Sequence, residues 1–334
     1  MRTFTFPSFS ILGKQWLCCL CLSFPAIFST QLLAQTKAQP ALIQPKSPDG
    51  GSYDVWKAQH LLAPQLAESK LGGNLKLPPN LGKQQAAPAN PGGLQKTACS
   101  NSFLLRDASY VPVPRNDDAS FGPLVLDFPI SVCGQTYNSV FINTNGNVTF
   151  GQPYEGFGLE GFPLDLPMAA AFWADVDTRN PSCGQIWYKM EAHHLIVTWE
   201  QVGYFSGWCG KVNSLQIILA DGQSAEAGLG NTIQFRYGDM QWTTGDASGG
   251  HVNGFNGTPA LVGFNAGDAL NYVLEGGFNK PGGDFFGQSS TSNGIDYLDG
   301  KCFSYTSGTD ADGDGFSECG GDCDDGNPDV NPGA

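Results

Sequence analysis

The sequence predicts a mainly β protein, built around an antiparallel β-sandwich-like domain with few short helices. Three observations favour this class: short apolar runs lie between turn residues, glycine and aromatic residues are abundant, and no long amphipathic helical pattern stands out. Of the 334 residues, 44 are Gly, 22 are Pro and only 14% are charged. This composition suits short strands joined by many turns better than it suits helices.

The N-terminus predicts a secretory signal peptide over residues 1–34. Arg2 and Lys14 precede or flank an apolar run at 16–28, and cleavage is expected after Ala34. A membrane anchor is the alternative, although the run is short for a span. We therefore expect a secreted or cell-surface protein whose mature part does not insert into a membrane.

Residues 35–98 are expected to form a disordered linker before the domain. This segment is rich in Pro, Gly and Gln, and its aromatic residues are Tyr53 and Trp56. A segment of this kind buries too little apolar surface to offset the entropy lost on ordering.

Residues 99–309 contain 30 of the 39 aromatic residues, so the core is expected there. Apolar or β-branched runs between turn signals predict strands. The predicted strands are 124–132, 137–143, 147–150, 169–174, 186–190, 195–202, 214–219, 232–237, 260–264, 271–274 and 303–305. Asn145-Gly146 predicts a hairpin turn, because both residues tolerate positive φ. The apolar run at 168–174 predicts a strand that is covered on both faces.

The charge distribution excludes some partners. The net charge is −14; residues 99–309 carry −12 and residues 310–334 carry −8 without a single base. An acidic body offers no basic surface for nucleic acid. Divalent cations are the more natural partners of such a chain.

Six motifs in order carry a resemblance to a known family. They are FINTNGNVTFG, PMAAAFWADVDTR, LIVTWEQVGYF, NSLQIILADG, NTIQFRYGDMQW and VGFNAGD. Together they resemble the extracellular NIDO domain of nidogen, alpha-tectorin and some mucins, in particular its bacterial secreted versions. The resemblance runs from about residue 121 to 274. It implies an extracellular, non-catalytic domain associated with cell–matrix adhesion.

The C-terminal segment 310–334 resembles the metal-binding repeat of MopE-like bacterial surface proteins, and more distantly the thrombospondin type 3 calcium repeats. Asp310, Asp312 and Asp314 occupy positions 1, 3 and 5 of an EF-hand-type loop, with Gly315 at the position of the sharp turn. Further ligands follow at Phe316, through its carbonyl, and at Glu318. The closing glutamate is missing, because Gly321 stands there.

Other acidic residues are available to complete this calcium shell. The candidates are Asp322, Asp324 and Asp325, brought back by a Cys319–Cys323 disulfide. The alternative is a solvated acidic tail, and calcium is the cofactor that the spacing favours. Such motifs often continue further, and we expect this one to be truncated.

Seven cysteines follow the signal region, and in an exported chain they are disulfide candidates. We expect Cys183–Cys209, Cys319–Cys323, and Cys99 paired with either Cys302 or Cys133. An odd number leaves one cysteine without a partner in the chain.

Two further groups are candidate binding sites. Asp175 and Asp177 follow the buried strand and are expected on one face. They either bind a metal or ligand, helped by Asn143, Asn145 or Asp165, or form a structural turn in which Asp177 pairs with Arg179. The segment Arg115–Asp118 is interpreted as a loop before the first core strand, with a binding role as the alternative.

The second group lies in a glycine-rich loop. Tyr204, Phe205 and Trp208 are expected to be exposed there, and exposed loop aromatics suit recognition. The sequence thus predicts a secreted or surface adhesion module that binds an extracellular protein or glycan. A secreted carbohydrate-binding or carbohydrate-active protein is the alternative, although no nucleophile motif supports catalysis.

Overall fold

The computed structural model describes residues 39–45, 52–57, 94–97, 99, 102–133, 135–250, 253–269, 272–307 and 327–330. Within them the chain is mainly strand, in agreement with the predicted class. The first eight strands are β1 (Ala41–Ile43), β2 (Leu94–Thr97), β3 (Val111–Pro112), β4 (Ser120–Val132), β5 (Gln135–Asn143), β6 (Asn147–Phe150), β7 (Met168–Trp173) and β8 (Val176–Asp177).

The second half of the domain supplies the remaining strands. They are β9 (Gln185–Met190), β10 (His194–Tyr204), β11 (Trp208–Ala220), β12 (Ile233–Met240), β13 (Ala260–Asn265), β14 (Tyr272–Lys280), β15 (Asn293–Gly294) and β16 (Cys302–Ser307). The described residues also form one short helix, α1 (Tyr53–Lys57), and 3₁₀ turns at Asp246–Ser248 and Ile295–Leu298. Every predicted strand overlaps an observed one.

The strands form two sheets. In the first sheet the order is β1-β4-β5-β6-β7-β13-β14-β15, and in the second it is β2-β16-β12-β11-β10-β9-β3, with β8 also paired to β10. All of these pairs are antiparallel except β14 with β15. The predicted antiparallel sandwich is thus confirmed at the level of its sheets.

Strand β4 shows how the sequence pattern builds a sandwich. Leu124, Leu126, Phe128 and Ile130 are buried, and the residues between them point away from the core. This period of two places one apolar face against the second sheet and leaves the other face, which includes Asp127 and Ser131, toward solvent. Burying such a face supplies the main stabilising free energy, at about 25 cal/mol per Å².

Strand β7 is buried on both faces, as its sequence predicts. Ala169, Ala171 and Phe172 belong to the main core between the sheets. Met168, Ala170 and Trp173 pack on the other side with Phe162 and Tyr272. Because a strand covered on both faces has no solvent side, its sequence has no polar alternation.

Contacts across the sandwich close the core. The Tyr237 hydroxyl donates to the Ala171 carbonyl oxygen at 2.6 Å, which joins β12 to β7. The Phe172 and Trp242 rings meet edge to face with centroids 5.4 Å apart. The buried hydroxyl of Tyr237 is therefore satisfied, as a dense core requires.

The predicted linker is corrected in three places. Residues 41–43 form β1 on the edge of β4, residues 53–57 form α1, and residues 94–97 form β2 on the edge of β16. Composition misled here, because edge pairing satisfies backbone groups without needing an apolar segment. The rest of 35–98 and the signal segment 1–34 lie outside the described residues, apart from a few neighbours of these elements.

Two of the predicted disulfides are confirmed. Cys183 bonds to Cys209, and Cys99 bonds to Cys302, one of the two partners left open. Cys133 is disulfide-bonded as well, which removes it as the partner of Cys99. The predicted Cys319–Cys323 bond lies outside the described residues. Among the helices that the structure describes, none is both long and apolar enough to cross a bilayer.

Candidate functional site

Four aspartates meet at one end of the sandwich, where β7 stops and β8 begins. Asp117, Asp118, Asp175 and Asp177 are all buried. Buried carboxylates are costly unless cations and hydrogen bonds compensate them. The cluster therefore needs a cationic partner, and its geometry shows which one it has.

Local backbone structure brings Asp175 and Asp177 into the cluster. The Phe205 amide donates to the Asp175 carbonyl oxygen at 3.0 Å, which ties the end of β7 to the β10–β11 turn. Residues Val176 and Asp177 pair with β10. The chain is held extended here, so both carboxylates are carried into the interior.

Asp117 and Asp118 come from the segment that precedes β4. Asp117 forms an isolated bridge with Asp177. Asp118 has a φ of 47°, a left-handed conformation that Asp tolerates better than most residues. The side-chain Nδ2 of Asn145 donates to Asp118 Oδ1 at 2.7 Å. The side-chain Oδ1 of Asn145 accepts a hydrogen bond from the backbone N–H of Val176 at 3.0 Å. The Asn-Gly turn thus positions the carboxylate of Asp118.

The cationic partner is Lys57, the last residue of α1. Its Nζ lies 2.5 Å from Asp118 Oδ2, 2.7 Å from Asp175 Oδ1 and 3.5 Å from Asp117 Oδ2. Its relative exposure is 0%, and a lysine is almost never so buried without charged partners. The ammonium fills the space that these three carboxylates enclose.

Two phenyl rings complete the enclosure. Lys57 Nζ lies 4.3 Å from the centroid of Phe157 and 4.1 Å from that of Phe205. Ring faces attract a desolvated cation electrostatically, by about 2 kcal/mol when water is excluded. We call the site formed by Asp117, Asp118, Asp175, Phe157 and Phe205 the lysine cage.

A second cation, Arg179, closes the rim. Its Nη2 lies 2.7 Å from Asp177 Oδ2 and 3.3 Å from Asp117 Oδ2. Its Nη1 pairs with Asp54 of α1. The Tyr53 hydroxyl donates to Asp118 Oδ2 at 3.1 Å. Helix α1 therefore contacts the cluster through three side chains and not through Lys57 alone.

Burial and charge move several pKa values in the cage. Burial on its own would lower the pKa of Lys57, but the nearby carboxylates, Asp118 first, outweigh it and raise that pKa well above its usual value. Burial raises the pKa of Asp117, and the charge of Asp118 adds to the rise. Burial also raises the pKa of Asp175 to about 7, against the opposing effect of Lys57.

The cage has more carboxylate oxygen than the chain uses. Asp117 Oδ1 and Asp175 Oδ2 are buried without a hydrogen-bond partner. The three carboxylates offer ligand atoms within 4.8 Å of one another, a spacing that suits a cation. The three carboxylates are thus arranged to bind a positively charged group, and here that group is the ammonium of Lys57.

The structure separates the residues that were predicted to help Asp175. Asn145 does enter the site, through Asp118. Asn143 instead bonds to Ser120 and Asn147, and Asp165 is exposed. Asp177 pairs with Arg179, as one of the two interpretations proposed, and Asp175 meets Lys57, which neither interpretation included.

The predicted aromatic loop is corrected. Tyr204 ends β10 and is 1% exposed, Phe205 is 3% exposed, and Trp208 begins β11 at 37% exposed. Tyr204 packs against Trp242 with centroids 5.1 Å apart, and Phe205 faces the lysine cage. The glycines made the segment look like an open loop, whereas it is a tight turn folded onto the core. Trp208 remains as an exposed aromatic residue.

Sequence reasoning missed Lys57 and Phe157, and it named Asp118 only within the Arg115–Asp118 loop, for which a binding role was the alternative. Lys57 lies more than a hundred residues from Asp175 and within a segment that looked disordered. A signal did exist: the pair Asp117-Asp118 and the pair Asp175/Asp177 are acidic residues beside strands, which implies a compensating cation. Nothing in the sequence said which lysine it would be.

The calcium motif lies outside the described residues. This applies to all of its expected ligands: Asp310, Asp312, Asp314, Phe316, Glu318, Asp322, Asp324 and Asp325. Calcium binding there stays a prediction.

The fold and the site define a β-sandwich domain with a caged lysine at one end. Comparison with known families adds a more specific assignment, since residues 138–194 and 190–293 match the model of the nidogen-like domain. These residues are thus similar to the nidogen-like domain, in agreement with the motif order, and they make up slightly less than half of the chain. The matched region begins within β5, so β4 and α1 both lie before it.

Known proteins show the same similarity. Human alpha-tectorin is 34% identical over 197 residues, which are 50% of this chain and 9% of that protein. The nidogen of Drosophila melanogaster is 30% identical over 215 residues, which are 55% of this chain and 15% of that protein. Mouse nidogen-2 is 27% identical over 161 residues. The chain thus spans only a small part of these relatives, and no solved structure matches it significantly.

Proposed function

We propose that this protein is a secreted or cell-surface adhesion module that binds an extracellular protein or glycan and has no catalytic activity. The observation that carries the proposal is the match of residues 138–293 to the nidogen-like domain, together with the similarity to alpha-tectorin and nidogen. The resemblance implies an extracellular domain associated with cell–matrix adhesion, and we propose that it is of the bacterial secreted type.

The chemistry of the acidic cluster supports a non-catalytic role. A general acid or base must reach the substrate with its carboxyl group. Here the carboxylates of Asp117, Asp118 and Asp175 are buried and face Lys57, and Asp177 faces Arg179. The strongest candidate for acid–base chemistry is therefore occupied by cations of the same chain.

The exposed indole of Trp208 is the best candidate contact for a ligand. Its Nε1 donates to Asp246 Oδ2 at 2.8 Å, which fixes the ring beside a carboxylate. An aromatic face next to a hydrogen-bonding carboxylate also suits a sugar ring. This arrangement is the specific reason to keep carbohydrate binding as the second candidate function.

Binding of the purified full chain to matrix proteins, cells and a glycan array tests the proposal. We expect saturable binding that Trp208→Ala weakens at least tenfold. The matched control is Phe286→Ala, which removes another exposed aromatic side chain at 64% exposure on a different part of the domain. Turnover of a polysaccharide that is lost on mutating an acidic pair would favour the carbohydrate-active alternative.

For the C-terminal segment we propose a calcium-stabilised motif at residues 310–325. Alternating aspartates with glycine at the turn position support it, because calcium requires six to eight oxygen ligands. We expect calcium to protect residues 310–334 of the full chain from proteolysis, and Asp312→Asn to remove the protection. Identical cleavage in calcium and in chelator would contradict the proposal.

A further inference from the structure

The lysine cage is filled by a segment that is outside the nidogen-like match. Residues 39–45 and 52–57, which we call the arm, contribute β1 on the edge of β4 and the helix α1. The matched residues begin at 138, so Asp117, Asp118 and β4 also precede them. Residues 58–93 separate the arm from residues 94–307, which we call the body, and the contacts of the arm can therefore be examined as those of a ligand.

Charge balance favours a further cation at the cage, although burial raises the pKa of Asp117 and Asp175 and so partly neutralises them. Suppose that the arm is removed. Among the described residues, the cation still in contact with the four aspartates would then be Arg179, which lies beside Asp117 and Asp177. Uncompensated buried carboxylates are strongly unfavourable. Two of their oxygens, Asp117 Oδ1 and Asp175 Oδ2, have no hydrogen-bond partner even with Lys57 present.

The two phenyl rings decide which kind of cation fits. Calcium takes six to eight oxygen ligands, and the faces of Phe157 and Phe205 offer none. An alkylammonium instead gains from ring faces and from carboxylates at the same time. The cage therefore suits the side chain of a lysine better than it suits a divalent metal.

The arm makes further contacts at helical spacing. Tyr53 reaches Asp118, Asp54 reaches Arg179 and Lys57 fills the cage. Three side chains of one helical turn, at positions i, i+1 and i+4, thus contact Asp118, Arg179 and the cage. Extended pairing of 41–43 with Gly122, Phe121 and Ser120 of β4 adds a backbone contribution, as in peptide recognition by strand addition.

We propose that the lysine cage and the edge of β4 form a docking site for the arm of a second copy of this chain. The chain's own arm occupies the site at rest, and residues 58–93 join it to the body. A chain of that length spans up to on the order of 100 Å when extended, which permits the arm to reach a neighbouring molecule. Complementary charge specifies the occupant: a lysine-bearing turn for an acidic cage.

A peptide binding experiment tests occupancy in trans. The probe is a labelled peptide with residues 39–57, added to full-length chain that carries Lys57→Ala and so has a vacant cage. We expect saturable binding, at least tenfold tighter than for the same peptide with Lys57→Met. Equal binding of both peptides, or no saturable binding, would overturn the proposal.

Mixing two variants tests exchange between copies. One full-length chain carries Lys57→Ala, with an intact cage, and the other carries Asp118→Asn and Asp175→Asn, with an intact arm. We expect each alone to be monomeric and the mixture to form a heterodimer in analytical ultracentrifugation. A mixture that stays monomeric at concentrations where the peptide binds would overturn it.

A third arrangement keeps the test valid if a variant does not fold. A site for a specific protease is placed within residues 58–93 of the otherwise unaltered chain. After cleavage we expect the arm to stay bound and to be displaced by excess 39–57 peptide, but not by the Lys57→Met peptide. Displacement by calcium chloride alone at millimolar concentration would identify a metal site and overturn the lysine assignment.

Discussion

The positive charges of the two fully buried side chains Lys57 and Arg236 are compensated in different ways. Arg236 donates to Gln234 Oε1 at 2.6 Å, to Glu226 Oε1 at 2.7 Å and to the Glu226 carbonyl oxygen at 2.6 Å. One carboxylate thus balances one guanidinium, and neutral acceptors satisfy the other donors. Lys57 instead faces three carboxylates, two of which keep an unpartnered oxygen.

The origin of each cation explains the difference. Arg236 belongs to β12, inside the second sheet, and its partner Glu226 is only ten residues away in the chain. Lys57 arrives on an arm whose partners are 60 to 118 residues away. A buried charge within a sheet is part of the fold, whereas a buried charge on an arm joins two parts that can separate. Substitutions at the two positions distinguish these roles.

The largest effect is expected for Arg236→Met. The side chain cannot leave the sheet, so the change removes four hydrogen bonds at once and leaves the buried acceptors, among them Gln234 Oε1, without their donor. We expect the free energy of unfolding of the domain to fall by about 3 kcal/mol, because each unsatisfied buried acceptor costs about 1–3 kcal/mol, and urea denaturation measures it. The control Arg106→Met breaks a more exposed pair with Glu200 and should cost about 1 kcal/mol or less.

The next effect is that of Lys57→Met, and it is local. The arm can leave and let water reach the carboxylates, so the domain itself loses about 1–2 kcal/mol, less than for Arg236→Met. We expect fast hydrogen exchange in β1 and α1 and rapid proteolysis of the arm, with slow exchange retained in β7 and β12. Equal destabilisation by the two substitutions would contradict the comparison.

The pH dependence of stability should identify Asp175. Its pKa is raised from 3.8 to about 7 in the fold, so the folded state binds the proton more tightly than the unfolded state. The stability from this proton is present below pH 4 and is lost as pH rises through 7. We expect Asp175→Asn, which stays neutral, to gain stability relative to the wild type as pH rises from 4 to 7. A constant difference across that range would refute the assignment.

The smallest effect is expected at the rim. Asp54 and Arg179 form an ion pair in which both side chains are more than a third exposed. Solvent screens such pairs, and Asp54→Asn should change the free energy of unfolding by about 0.5 kcal/mol or less. The arm should stay protected from protease in this variant. Release of the arm to the extent seen with Lys57→Met would show that the rim, and not the cage, holds it.

The strands were predictable because their signals are local. The alternation in β4, the apolar run in β7 and the Asn145-Gly146 turn each report a burial pattern within a few residues. The ends of strands were less predictable. Strand β11 begins at Trp208, several residues before the predicted start, because pairing with β10 carries polar residues into the sheet.

The site was only half predictable. Asp175 and Asp177 could be singled out, since carboxylates directly after a buried strand are unusual. Phe205 was also singled out, but as an exposed residue, because glycines around it suggested an open loop. Its burial depends on a contact with the rest of the domain that no local pattern records.

The sequence by itself determined the class of fold, the nidogen-like motif order, the Cys183–Cys209 pair and the acidic character of the domain. These properties follow from periodicity, composition and short-range spacing. Only the tertiary structure decided that Lys57 lies among Asp117, Asp118 and Asp175. That choice depends on the edge of β4 and the end of β7 meeting in space, and the electrostatic energy of a buried charge depends on distances in space and not on positions in the chain.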